Sequence, residues 1–157
     1  MKKRLLFLWV MLLAVAGFTA SAGTITLKTG KAVNSELTFT AYCGTVDEAI
    51  TIDWGDGQPV SYNKNPYGWG SDKITKGTVK GETITITGNL IFFDAQDDSI
   101  NSIQVTGMDK IKTFNVSKNQ ITAITLANMP ALTHLDLSKN KITSPNLNIS
   151  GLAETLK

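Results

Sequence analysis

Apolar and polar side chains change places at every residue through much of the first half of this chain. Leu37, Phe39 and Ala41 alternate with Thr38, Thr40 and Tyr42, and Ile50, Ile52 and Trp54 alternate with Thr51 and Asp53. A period of two is that of a half-buried strand, and the abundant threonine suits it. Gly55-Asp56-Gly57 punctuates the second run, and Asp-Gly tolerates the positive φ angles of a tight hairpin. A loop dense in Asn, Pro and Gly follows, from Asn63 to Asp72. Nothing between Gly23 and Gly81 carries a helical pattern of useful length.

Beyond residue 82 a longer period sets in. Ile111, Phe114, Val116, Asn119 and Ile121 recur 21 residues later as Leu132, Leu135, Leu137, Asn140 and Ile142. Going back 21 residues, the same columns, with that of Ile124, hold Leu90, Phe93, Ala95, Asp98, Ile100 and Ile103. Ile84, Val105, Leu126 and Leu147 form a further column, and Met108 and Met129 another. So many coincidences at one offset divide the chain into a β-domain or cap over 23–81 and three to four repeats over 82–157, the last incomplete.

The spacing L-x-x-L-x-L-x-x-N-x-I, clearest in Ala131 to Ile142, resembles the leucine-rich-repeat signature. The 21-residue period and the I-x-x-I-x-L stretch after the Asn are similar to bacterial surface repeats of the internalin type. This resemblance implies a solenoid whose L-x-L pairs point inward from a short parallel sheet. A structural column of Asp98, Asn119 and Asn140 would sit inside the turns, bonding backbone groups otherwise buried unpaired. Asp98 can accept but not donate, which suits a less regular terminal coil. The convex side is expected to be extended or 3₁₀, given Ile124-Thr125-Leu126 and the helix-stopping Pro130. Ile52 to Gly57 resembles the W-G-D-G turn of polycystic-kidney-disease-type β-sandwich domains, although the segment is short enough to be a cap on the first coil. The fold class expected is mainly β: a small N-terminal β-domain or cap, then a leucine-rich-repeat solenoid with a short parallel sheet.

The first residues point to export. Lys2, Lys3 and Arg4 precede the apolar run Leu5 to Ala16, and Ala20-Ser21-Ala22 is the small-residue pattern that signal peptidase cuts. The run is shorter than the ~20 residues that span a bilayer, so a signal peptide over 1–22 is expected, with no membrane span after cleavage. The whole chain carries 15 Lys and Arg against 13 Asp and Glu; the cut removes three cations and leaves a formal charge of −1. A near-neutral surface gives no electrostatic case for nucleic acid or anionic membranes. Cys43 is the single cysteine, which excludes an intramolecular disulfide and favours a buried thiol.

Candidate chemistry is sparse. His134 is the one histidine, and nothing near it in sequence orients a Cys43–His134 pair, so no catalytic residues and no cofactor are expected. Asp53, Asp56, Asp97 and Asp98 could supply oxygens to calcium, but without a calcium-loop motif they read as turn residues and no metal site is expected. Binding has better candidates. The resemblance to leucine-rich repeats places three rows on a concave face: Phe92, Asp94 and Gln96; Thr113, Asn115 and Ser117; His134, Asp136 and Ser138. A shallow surface of this kind suits a protein or glycan at the cell exterior. Tyr62, Tyr67 and Trp69, interleaved with Asn and Gly, form a second candidate, either stacking on sugars or folding back on the β-core. The expected function is non-catalytic, adhesin-like binding by a secreted or cell-surface protein. The alternatives are a structural spacer in a larger surface assembly and a glycan-binding accessory module acting through loop 62–69. Leu152, Ala153 and Leu156 begin another coil where a polar capping repeat is normal, so missing repeats or a partner are expected to cover that end.

Overall fold

The computed structural model describes residues 22–45, 47–63, 74–143 and 146–152. Twelve strands run through them: β1 (Gly23–Thr29), β2 (Glu36–Cys43), β3 (Ala49–Asp53), β4 (Val60–Asn63), β5 (Ile74–Thr78), β6 (Thr83–Gly88), β7 (Leu90–Asp94), β8 (Ile100–Thr106), β9 (Thr113–Asn115), β10 (Ala123–Met129), β11 (His134–Asp136) and β12 (Leu147–Leu152). They form a seven-stranded sheet in the order β12-β10-β8-β1-β6-β3-β4 and a five-stranded sheet in the order β11-β9-β7-β2-β5. Among the described residues there is no α-helix.

Both sheets are mixed. β8, β10 and β12 pair in parallel, as do β7, β9 and β11. β1 then joins β8 to β6 with antiparallel pairing on both sides, and β2 does the same between β7 and β5. The alternation seen in the sequence faces inward as expected: Leu37, Phe39, Ala41 and Cys43 are buried on β2, and Ile50 and Ile52 on β3. β3 belongs to the larger sheet, where Ile50 and Ile52 line up with Ile25, Leu27, Ile84 and Ile86, and one core runs from Ile25 through Phe93 and Phe114 to Leu132. Phe39 lies 5.9 Å from Trp54 and 5.5 Å from Phe93, and Phe93 stacks 5.4 Å from Phe114.

The expected leucine-rich-repeat solenoid does not form. Such a solenoid has one sheet and a different, wider layer behind it. Here the stretches after Asp98 and Asn119 are themselves long strands, β8 and β10, buried at alternate positions (Ile103 and Val105; Ile124 and Leu126). The 21-residue offset sets parallel register, aligning Phe93, Phe114 and Leu135 in one sheet and Ile103 with Ile124 in the other. Both sheets then continue into antiparallel strands drawn from residues 23–88. The W-G-D-G stretch closes the β3–β4 hairpin of the shared sheet and does not mark a separate sandwich of the polycystic-kidney-disease type. The expected signal segment lies outside the described residues.

The turns show why these residues are where they are. Asp53 Oδ1 accepts the backbone N–H groups of Gly55, Asp56 and Gly57 at 2.8, 3.1 and 3.0 Å. Gly55 and Gly57 take the φ values of 105° and 72° that this wrap requires. Trp54 points into the core, its indole N–H donating to the Tyr62 hydroxyl at 3.0 Å, and its ring occupies the space a Cβ on Gly77 would need. On the parallel side, Asp97, Lys118 and Lys139, spaced 21 apart, are left-handed at φ of 63°, 57° and 55°. Each precedes a member of the Asn column.

Candidate functional site

The outer face of the five-stranded sheet carries most of the candidate binding residues. Pairing aligns Phe92, Thr113 and His134 in one row, and Asp94, Asn115 and Asp136 in the next. β2 extends both rows, setting Tyr42 beside Phe92 and Thr40 beside Asp94. Tyr42 and Phe92 stack at 4.9 Å with an interplanar angle of 6°, both half-buried. A shallow depression of about 210 Å³ opens beside them, lined by Thr38, Phe39, Thr40, Asp94 and Gln96.

Much of this polarity is engaged within the fold. Asp94, Asn115 and Asp136 each accept the backbone N–H two residues on, from Gln96, Ser117 and Ser138, at 3.2, 3.0 and 2.9 Å. These short wraps end each strand and turn the chain toward the other sheet. Across the row, Asn115 Nδ2 donates to Asp94 Oδ2 at 3.0 Å. The Ser138 backbone N–H and hydroxyl, with the Ser117 hydroxyl, hold the Asp136 carboxyl below the usual carboxylate range. Lys118 Nζ reaches Gln96 Oε1 at 3.5 Å along the rim.

The expected concave rows need two corrections. Ser117 is buried, at 3% exposure, because the turn after β9 draws it inward. With no solenoid present, the rows lie on one face of a mixed sheet, so Tyr42 and Thr40 belong to the surface as much as His134 does. Their alternation with Leu37 and Phe39 puts these two on the outer face of β2, and the β2–β7 pairing brings them to this surface. In the second candidate, Tyr62 packs against the core and accepts the Trp54 indole N–H, which makes it a structural side chain; Tyr67 and Trp69 lie outside the described residues.

The Asn column is structural, and it divides. Asn119 is buried; its Oδ1 accepts from Asp98 N and Ile100 N at 2.9 and 3.0 Å, and its Nδ2 donates to the carbonyls of Ala95, Val116 and Ser117. Asn140 repeats this one coil on, accepting from Ile121 N and donating to Val116, Leu137 and Ser138 carbonyls. Asp98 departs from the pattern: Oδ1 pairs with Lys31 Nζ at 3.2 Å, while Oδ2 is buried without a hydrogen bond. Burial raises its pKa despite the lysine.

His134 contacts the Thr133 hydroxyl through Nδ1 at 2.9 Å on an exposed strand, whereas Cys43 is buried in the core, which pushes its thiol pKa up. Asp53 and Asp56 serve the hairpin, Asp56 pairing with Lys80 at 2.6 Å. Among the described residues no group of three or more His, Cys, Asp and Glu converges on one point. A second depression, of about 390 Å³, lies on the other sheet, between Thr51, Asp53, Pro59, Thr85 and Thr87. No family model, curated protein or solved structure matches the chain.

Proposed function

We propose that this chain is a non-catalytic binding module that acts outside the cytoplasm and presents the outer face of the five-stranded sheet to a protein or glycan. The observation that carries this reading is the stacked Tyr42–Phe92 pair, half-exposed on a face otherwise made of short polar side chains. Aromatic planes beside polar groups of fixed orientation suit both sugar stacking and protein contact. The wraps at Asp94, Asn115 and Asp136 support it by holding these side chains before any ligand arrives, which lowers the entropy cost of binding. Export rests on the basic, apolar and small-residue order of residues 1–22.

A spacer role is the second reading, favoured by how many of these polar atoms already bond within the fold. Glycan-array and extracellular-protein binding of residues 23–157 decides between them, with Phe92→Ala and His134→Ala measured beside the parent. Specific binding that falls at least tenfold in Phe92→Ala, with an unchanged circular dichroism spectrum, supports the binding face. Binding by none of the three proteins leaves the spacer.

A further inference from the structure

The two sheets finish together at one end of the molecule. β12 is the outermost strand of one and β11 of the other. Among the described residues, no strand pairs with the outer edge of either. The layer between them is apolar: Leu135, Leu137 and Ile142 are partly buried against the core, and Leu147 and Ile149 stand 43% and 42% exposed. One coil earlier the same positions are closed. Phe114, Val116 and Ile121 are fully buried, as are Ile124 and Leu126, the strand partners of Leu147 and Ile149. An open sheet edge beside uncovered apolar side chains is a template for another strand.

We propose that this end binds a second copy of the chain, β11 against β11 and β12 against β12, about a two-fold axis that crosses both sheets. Such an axis reverses strand direction, so both new pairs are antiparallel and both sheets become continuous across the dimer. The short strand β11 is self-complementary in this arrangement. Pairing centred on Leu135 sets Leu135 against its own copy and places His134 opposite Asp136 in each direction, where an imidazole N–H can donate to a carboxylate. In β12, pairing centred on Ile149 sets Asn148 opposite Ser150, two short polar groups, with the isoleucines meeting on the apolar side. A two-fold contact also closes on itself, leaving no edge at this end for unlimited growth.

The test is the mass of the full chain by sedimentation velocity over a concentration series, a readout independent of any ligand. A monomer–dimer equilibrium is expected. Ile149→Lys, which puts an ammonium group in the apolar seam, shifts it to monomer. His134→Asp, which faces carboxylate with carboxylate, weakens it by roughly tenfold or more, and adding Asp136→Lys to that variant restores pairing. Thermal melts check folding; should Ile149→Lys fail to fold, the exposed His134 and Asp136 variants still decide. A monomer at every concentration overturns the proposal. So does a dimer that Ile149→Lys and His134→Asp both leave intact, or a polymer that lengthens without limit, since each places the contact elsewhere or gives it a different symmetry.

Discussion

The antiparallel and parallel halves of this fold solve the same problem by different means. Where β3 meets β4 the chain reverses through glycine, with Asp53 collecting three backbone N–H groups and Trp54 locked between Tyr62 and the bare Cα of Gly77. These contacts occur once. In the parallel half each turn uses a left-handed non-glycine residue, and at Asn119 and Asn140, 21 residues apart, the polar side chain that follows it reaches into the coil before. A unique contact fixes one place in the molecule, whereas a repeated one fixes the spacing of every coil. Stability in the parallel half should therefore depend on how fully each copy of the column is satisfied.

Substitutions along the column test that dependence most directly. Asn119→Ala strips partners from two buried N–H groups and three carbonyls and is expected to cost about 3 kcal/mol in urea unfolding. Asn140→Ala, half-buried on the outer coil, should cost about 1 kcal/mol; equal losses would end the idea that burial grades the column. In the other half, Gly77→Ala drives a Cβ into the Trp54 ring and is expected to cost about 2 kcal/mol, with a change in tryptophan fluorescence that Asn119→Ala does not produce.

Asp98 is the column's weak copy, and its effect runs the opposite way. Its folded pKa is raised by burial above the unfolded value, so the native state holds the proton more tightly and stability falls as pH rises through that window. Asp98→Asn removes the buried charge and can donate to neighbouring carbonyls as Asn119 does. It is expected to gain about 1 kcal/mol at neutral pH, an advantage that disappears below the ordinary aspartate range in a pH series of thermal melts. The smallest effect belongs to Lys139→Gly, which relieves a φ of 55° and should raise stability by about 0.5 kcal/mol in the same assay.

The strands of β2 and β3 were legible because one face of each is buried, which writes a period of two into the sequence. The 21-residue offset was legible too, because parallel pairing repeats the same inward positions in each coil. What the offset does not encode is the layer behind the first sheet: Ile103 and Val105 can follow an Asn on the way into a helical, extended or full-strand layer. The alternation of Ile124 and Leu126 is compatible with each of the last two, and only pairing with β8 and β12 makes it a full strand. Partner choice was also hidden. Nothing local to Ile25 or Leu27 says that β1 lies between β6 and β8, and that placement joins two segments that looked separate. On the candidate face, Phe92, Asp94 and Asn115 could be placed by spacing, but the internal bonding of Asp94, Asn115 and Asp136 required the turn geometry, and Tyr42 required the β2–β7 pairing.

The central position of β1 also bears on the order in which the molecule assembles. Thr24 pairs with Thr87 on one side and Thr106 on the other, so β1 is satisfied on both edges only after more than 75 further residues have been made. β2 waits in the same way for β5 and β7. Closing loops this long before any contact compensates for their entropy makes folding slow, in the range of about milliseconds to seconds. The early strands remain open to chaperones, or to one another, until β8 arrives, and a nascent chain halted before residue 100 is expected to stay sensitive to protease along β1.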